Sequence, residues 1–579
     1  MARDGIMADQ DWDIETDLLV AGAGPGGMTA ALVAAIEGLD VVVCEKASQV
    51  GGTGATSAGT LWIPGNRPSR DAGFKDSPDE AAKYLDALIG DDDASGHRKA
   101  YLGDGPGVID YLTEKTDVQF LPCGLHPDYR NNMPGAASAG RAIIPQNFDG
   151  RLLGGDFERV RPPIAEFMLM GGMMVGKVDI IGLLGRYKSF GAFRHSAGIM
   201  LRYLTDRLRF KRGTRLVMGN ALVARLFYSL KNRNVPVMFD APIGEFIMDG
   251  DTVIGAVINS KEGARRVRVR KGVVLATGGF AHNPKYREAF MPSPTPHYSM
   301  AAKSNTGDGI VLAEAVKAGI DSERHQGAGF WSPVSVTTRE DGSEGLFPHL
   351  AMDRAKPGLI AVNAMGRRFV NEAVSYHDFV EAMYRSHETA DTMPAWLICE
   401  TAFVTKYGLG AIHPQTKNLS KHEASGYVAV GETLEAIAEK IGVDAAGLRD
   451  SVERHNGFAR TGTDEDFGKG DLELNRFNGD ASHTPNPCLA PIANGPFAAM
   501  AVWPAEIGCS VGLSTNPDGQ VLNGEGTPVG GLYACGNDMG SVMAGAYPGP
   551  GTTLGPAIVF GWRVAMHAAG RSPGGGGRS

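Results

Sequence analysis

The chain has 579 residues, more than a single core usually holds, and its 43% hydrophobic and 21% charged residues are those of a soluble globular protein. A net charge of −9 excludes nucleic acid as a main partner, because binding phosphate needs a basic face. Six scattered cysteines without CxxC spacing exclude a zinc site and a disulfide framework, so no metal is expected and a reducing cytoplasm is the expected setting. Asp4, Asp9, Asp11 and Asp13, ahead of the first apolar run, carry the wrong charge for a secretory signal. The tail Gly574–Ser579 reads as flexible and outside the fold.

Thr16–Ala21 has the pattern of a buried strand and runs into Gly22-Ala23-Gly24-Pro25-Gly26-Gly27, then into a helical stretch over Met28–Glu37. Gly22, Gly24 and Gly27 fill the GxGxxG positions, which allow a tight turn and let backbone approach a pyrophosphate at a helix N-terminus. A second strand, Asp40–Cys44, ends in Glu45, where a carboxylate can hold ribose hydroxyls. Directly after Glu45 and Lys46 come Gly51-Gly52-Thr53 and Ser57-Ala58-Gly59. That continuation resembles the flavoprotein family of fumarate reductases and 3-ketosteroid dehydrogenases, and it favours FAD over NAD.

Further along, Val273–Gly279 is a buried strand ending in Ala276, Thr277 and Gly278, and Asn305–Gly309 resembles the family's TGDG turn with Asp308 heading a helix over 310–318. Near the C-terminus, Gly531–Asn537, ending in Gly536 and Asn537, resembles the strand that closes on the flavin; Thr553 and Leu554 resemble the start of the helix under its pyrimidine edge. Covalent attachment in part of the superfamily uses a histidine soon after the GG turn, whereas the first histidine here is His97, so noncovalent FAD is expected. Two uncharged stretches, 18–36 and 539–562, are broken by glycine and proline and read as ligand-contacting turns rather than membrane spans.

Flavin motifs at both ends predict an α/β protein: a Rossmann-like, discontinuous FAD-binding domain over 1–281 and 495–579, with an inserted α+β catalytic cap domain over 282–494. Helices are expected at 432–441 and 444–459. The segment 165–216 departs from the shorter family members. It is methionine-rich over 167–175, and 186–215 holds nine Lys/Arg against one acid, Asp206. Ala197, Leu201, Leu204 and Leu208 share a helix face opposite Arg202, Asp206 and Arg209. A basic amphipathic helix beside an apolar loop suits an anionic membrane surface at the inner face of the cell membrane; the alternative is a solvated helix covering the FAD domain.

Ala546-Tyr547-Pro548-Gly549-Pro550-Gly551 offers no cationic clamp for a dicarboxylate of the kind fumarate reductases bind, and it resembles the YPGxG run of 3-ketosteroid Δ1-dehydrogenases. The resemblance gives Tyr547 and the Gly551 N–H the role of holding a C3 carbonyl oxygen. It makes Tyr376, in Asn371–Tyr376, the base that removes the C2 proton, and makes Tyr129, in His126-Pro127-Asp128-Tyr129, its support. To act as phenolate, Tyr376 is expected to have its pKa lowered by neighbours. His126 and Ser375 replace an aromatic residue and a proline of the steroid enzymes, and Phe347 is the candidate wall residue. The implied reaction is FAD-dependent 1,2-desaturation of a 3-ketosteroid, with a quinone or other electron acceptor. A desaturase of smaller cyclic ketones, a Δ4-(5α)-steroid dehydrogenase, a fumarate-reductase-like reductase and a noncatalytic flavoprotein are the alternatives.

Overall fold

The structure, a computed structural model, describes residues 12–571 apart from 92, 94, 324–326, 351 and 352, and it leaves out the side chains of 177, 178, 181 and 184. Asp4, Asp9 and Asp11 and the tail Gly574–Ser579 therefore lie outside the described residues.

The first sheet is built on strands too apolar to alternate. Leu18, Leu19 and Val20 are fully buried, as expected where helices cover both faces of a parallel sheet. Burying each such side chain stabilises the fold by roughly 1.5–3 kcal/mol. In this sheet Val237–Met238, Val41–Cys44, Ile14–Ala21 and Gly263–Leu275 run parallel, and Pro528–Ala534 joins parallel to Gly263–Leu275. The register matters most for function. Ala21 pairs with Cys44 and Leu275, and Leu275 pairs with Ala534, so four strands end side by side. The turns that follow them, at Gly22, Glu45, Ala276 and Cys535, meet at one carboxyl edge, where parallel sheets bind ligands.

The second sheet is mainly antiparallel, in the order Glu344–Pro348, Gly329–Thr338, Phe497–Cys509, Ala395–Glu400, Leu359–Val362, with Tyr298–Ser299 and Ala429–Gly431 also paired to Phe497–Cys509. Phe497–Cys509 thus lies at the centre of this sheet, two residues after position 495, and the chain rejoins the first sheet at Gln520–Leu522. The helices expected near 432–441 and 444–459 are Leu434–Ile441 and Ala445–Thr461, capped by Thr433 and Asp444 side chains. The stretch 18–36 is strand, turn and helix, and 539–562 is a loop entering the helix Leu554–Ala568. Among the described residues no helix is long and apolar enough to cross a membrane.

In 165–216 the helix Phe190–Asp206 turns Ser196, Ile199, Tyr203 and Asp206 inward, with Asp206 accepting hydrogen bonds from the Thr214 N–H and hydroxyl at 2.8 Å. This places the expected polar-side Asp206 inside. It also leaves Phe190, Phe193, Leu201, Leu204 and Leu208 exposed, with Leu208 at 83%.

Candidate active site

One cavity collects the turns at the sheet edge and opens toward the second sheet. Gly22, Gly24 and Gly27 line it, with Glu45, Lys46, Gly52, Thr53 and Ser57. So do Ala276, Thr277, Gly278, Asp308, Gly536, Asn537 and Leu554. The structure therefore brings together every residue expected to bind cofactor.

The glycines divide by cause. At Gly22 (φ +107°) an added Cβ would stand 2.2 Å from the Ala276 carbonyl, and at Gly27 it would stand 2.0 Å from the Gly22 oxygen, so both are fixed by packing of turn against strand and helix. At Gly24 a Cβ would meet no protein atom within 4 Å. Gly24 is also the N-cap of the helix Pro25–Ile36 and offers no side-chain cap, which leaves helix N–H groups directed at open space where an anion is favoured. This cradle fits a pyrophosphate.

Glu45 is 8% exposed and accepts hydrogen bonds from the N–H groups of Ala23 (2.7 Å) and Ala47 (2.8 Å). Burial pushes its carboxyl up, against those two bonds. Lys46 pairs with Asp308 at 2.9 Å and donates to Thr306, tying the second strand to the TGDG turn. Asp538, which the sequence reading passed over, is fully buried and accepts from the Gly279 N–H at 2.8 Å and from Thr277. It locks the Ala276–Gly279 turn onto Gly536 and Asn537. Its neighbour Asn537 was the only signal available in the sequence.

At the other end of the cavity three tyrosines meet. Tyr129 and Tyr376 have their hydroxyls 3.1 Å apart, and the Tyr376 hydroxyl is also influenced by that of Tyr547, whose ring lies 5.3 Å away. The rings of Tyr129 and Tyr547 stack with centroids 5.6 Å apart, while Tyr376 packs edge-on to both, at 5.5 and 5.3 Å. Three separate elements supply them. Tyr129 follows the edge strand Phe120–Pro122, its loop held by Asp128, which takes Arg141 at 2.7 Å and the Trp62 indole N–H at 2.8 Å. The Tyr129 N–H donates to the Pro548 carbonyl at 2.9 Å, so this loop and the Tyr547–Gly551 run are one unit. Tyr376 is the first residue of the helix Tyr376–His387, and Ser375 is its N-cap, accepting from the Asp378 N–H at 3.0 Å. Ser375, expected from the resemblance to stand in place of a proline, is thus a helix cap.

Gly551 lies in the left-handed region (φ +96°), and a Cβ there would stand 2.5 Å from the Thr60 carbonyl. Its N–H has no protein acceptor among the described residues, and the residue lines the cavity.

Burial pushes all three phenols well above the ordinary tyrosine value. For Tyr376 the Tyr129 hydroxyl adds to this, while the Tyr547 hydroxyl and the Arg354 guanidinium act the other way. The net direction is opposite to the lowering expected from the sequence. Three phenols in one apolar cluster leave the ionised form with little to solvate it.

Phe347 does not line the cavity. It packs edge-on to Phe167 of the inserted segment, and the wall is formed by Phe167, Ile164, Pro348 and Leu350. Phe330, 5.5 Å from Tyr547, and His377, also at 5.5 Å, complete the surround; neither has a sequence signal apart from strand alternation and adjacency to Tyr376. His126 packs on Phe477 at 5.0 Å, filling the place of an aromatic residue. Among the described residues no arginine lines the cavity, and no group of three or more metal-ligating side chains is found.

The model of the family described as FAD binding domain matches residues 17–554. A 4-oxocyclohex-2-ene-1-carboxylate 5-dehydrogenase from Sinomonas cyclohexanicum is 37% identical over 97% of this chain and 95% of its own length. A 3-oxosteroid 1-dehydrogenase from Mycolicibacterium smegmatis is 35% identical over 96% of this chain and 97% of its own. Among solved structures, a 3-ketosteroid delta1-dehydrogenase from Sterolibacterium denitrificans in complex with 1,4-androstadiene-3,17-dione matches with a TM-score of 0.88 and 37% identity, covering 96% of this chain and 99% of the other.

Proposed function

The chain belongs to the FAD binding domain family, and from that premise we propose that it is an FAD-dependent 3-ketosteroid Δ1-dehydrogenase. The observation that carries the reading is the convergence of three tyrosine hydroxyls and the unengaged Gly551 N–H in an apolar cavity that adjoins the cofactor turns. The Tyr547 hydroxyl and the Gly551 N–H hold the ketone oxygen, and charge developing there is stabilised by donors already in place. Tyr376, as the phenolate, takes the proton from C2 and becomes neutral while the charge passes to the ketone oxygen; the Tyr129 hydroxyl donates to the Tyr376 oxygen and stabilises the phenolate before the transfer. Bound FAD supplies the two-electron oxidant for C1. The glycine cradle holds its pyrophosphate, Glu45 its ribose, and Ala276–Gly278 with Gly536 and Asn537 the ring end.

FAD is held without a covalent bond. His97 packs on Phe560 at 5.5 Å and does not line the cavity, and His126 sits at the tyrosine end. Gly27→Ala drives a methyl into the Gly22 carbonyl, so the purified variant is expected to lose most of its 450 nm absorbance relative to 280 nm. A flavin content equal to the wild type would contradict the placement of the turn.

The similarity to a dehydrogenase of a carboxylated cyclohexenone raises a second substrate class. A ring carboxylate, like the dicarboxylate of a fumarate reductase, needs a cation to replace its hydration. Among the described residues the cavity is lined by one lysine, Lys46, already engaged by Asp308, and by no arginine, with walls of Ile164, Phe167, Leu350, Leu474 and Ile507 suited to an extended apolar ring system. Anaerobic titration of the yellow protein decides between them. Bleaching at 450 nm is expected with a 4-ene-3-ketosteroid and not with cyclohexanone or 4-oxocyclohexanecarboxylate; the reverse order refutes the steroid reading.

The enzyme sits on the inner face of an anionic membrane through 165–216. Support comes from the helix Phe190–Asp206, which is apolar on both sides: one packs against Met173 and Val175, and the other, Phe190, Phe193, Leu201 and Leu204, is exposed. Of the nine cations, Arg202 and Arg215 are taken up by Asp149 and Asp179, Arg212 is buried and Arg186 is half-buried and donates to the Leu183 carbonyl, leaving Lys188, Arg194, Arg207, Arg209 and Lys211 exposed. Exposed apolar residues ringed by positive charge suit an anionic lipid surface. A steroid dissolved in that lipid, and a quinone as electron acceptor, would be at hand. In sedimentation with phosphatidylglycerol vesicles the wild type is expected in the pellet and the Leu201→Asp/Leu204→Asp variant in the supernatant, with bleaching by steroid retained in both.

A further inference from the structure

Arg354 is 1% exposed and its guanidinium forms no ion pair among the described residues. It is spent on backbone. Nε donates to the His349 carbonyl (2.8 Å), Nη1 to that of Glu372 (2.8 Å), and Nη2 to those of Leu350 (3.1 Å) and Val374 (3.3 Å). The guanidinium also lies 4.8 Å from the centre of the Phe379 ring, on the Tyr376 helix.

These contacts join the two strips of chain that frame the tyrosine end of the cavity. One runs through Pro348 and Leu350, which line the wall; the other is Glu372–Val374, which leads through the Ser375 cap into Tyr376. The first strip is itself pinned from below. His349 bonds Asp353 at 2.6 Å and Ser335 at 2.8 Å, Ser335 bonds Tyr427 at 2.7 Å, and Asp353 accepts from the Gly410 N–H at 3.1 Å. The second is pinned by Glu372, buried between Arg368 (2.9 Å) and Lys469 (3.2 Å).

A buried cation is costly unless its charge serves something, and hydrogen bonds to four carbonyls could be had from neutral donors. We propose that Arg354 is a positioning residue for the desaturation: it fixes the backbone that delivers Tyr376, and its charge stabilises the Tyr376–Tyr129 hydroxyl pair when that pair gives up its proton.

Other groups near the pair do not supply this charge. Tyr547 is a phenol, and Arg130 is held by Asp378 at 2.7 Å and by Glu381 at 3.4 Å. Asp378, which faces the pair from the Tyr376 helix, and Cys123, which faces Tyr129, work against ionisation. His377 lies 3.2 Å from Glu381, and His126 packs on Phe477. Arg354 acts on Tyr376 in the opposite sense to burial.

The inference rests on the desaturase reading, and its test separates the two. The holoenzyme and the variants Arg354→Met, Arg354→Lys and Tyr376→Phe are compared by the pH dependence of kcat/KM with a 4-ene-3-ketosteroid and by tyrosinate absorbance at 295 nm. Arg354→Met is expected to move the alkaline limb and the tyrosinate midpoint upward by about one unit, a tenfold change, with KM altered less than kcat. Arg354→Lys keeps the charge and gives up the fork, so both midpoints stay in place although kcat falls. If the Met variant does not fold, the Lys variant decides by itself: unmoved midpoints support the role, and an upward shift overturns it. Midpoints unmoved in Arg354→Met, with activity reduced alike in both variants, also overturn it by making Arg354 a scaffold only. Absence of turnover of the 4-ene-3-ketosteroid by the wild-type holoenzyme would instead overturn the desaturase reading, and wild-type turnover in Tyr376→Phe would overturn Tyr376 as its base.

Discussion

Replacing Tyr376 with phenylalanine is expected to lower kcat by about 10²–10⁴-fold, the usual span for loss of a positioned general base. Flavin content and steroid binding are expected to stay near the wild type. The ring is kept, and with it the edge-on packing at 5.5 and 5.3 Å against Tyr129 and Tyr547; the removed atom is the one placed between two other hydroxyls. The pH profile gives a second reading. Burial and the Tyr129 hydroxyl push Tyr376 above its ordinary value, so the phenol is neutral below that raised value and becomes a base only above it. In the wild type kcat/KM should therefore rise with pH, its limb at or above the ordinary tyrosine value of about 10. The residual activity of Tyr376→Phe should lose that limb. A variant with wild-type turnover, or one that keeps the limb, would remove Tyr376 from the chemistry.

Tyr547→Phe is expected to cost about 10²–10³-fold in kcat, the loss that follows removal of one oxyanion-hole donor. The Gly551 N–H remains, which sets a limit to the loss. Stacking on Tyr129 at 5.6 Å and the edge contact with Phe330 at 5.5 Å are unchanged by the substitution, so the melting temperature should move little. Single-turnover bleaching of the bound flavin isolates the effect from release of product. Because the Tyr376 and Tyr547 rings are in contact, with centroids 5.3 Å apart, the double variant should lose less than the product of the single losses. Full additivity in that cycle, or bleaching undiminished in Tyr547→Phe, would argue against a shared site.

The flavin half of the site was legible because its chemistry is local. A glycine turn, the helix it opens and the acid at the end of the next strand lie within about thirty residues, so residue type and spacing carry the meaning. The tyrosines are different. Tyr129, Tyr376 and Tyr547 sit on a loop, a helix start and a glycine-proline run hundreds of residues apart, and only motif resemblance linked them. Glu372 shows the limit of reading by motif. It stands beside the expected base, yet it is fully buried between Arg368 and Lys469 and acts as scaffold. Arg354 carries no pattern, and Phe330 and Asp538 little beyond a strand and a neighbouring motif residue, since their contacts span sheets and loops remote in the chain.

The sequence by itself determined the cofactor turns, the absence of a carboxylate clamp beside Tyr547, and the presence of a basic, methionine-rich insertion, because each depends on residue type over short spans. Only the tertiary structure decided what depends on which groups share a volume. The Asp206 face of the inserted helix turned inward once Thr214 satisfied its carboxylate, leaving the leucines exposed. The strand after residue 495 took the centre of the second sheet, where its pairings on both sides are made. The tyrosine pKa shift reversed sign because burial, a property of the packed cavity, outweighs the neighbouring hydroxyl and guanidinium that favour the phenolate.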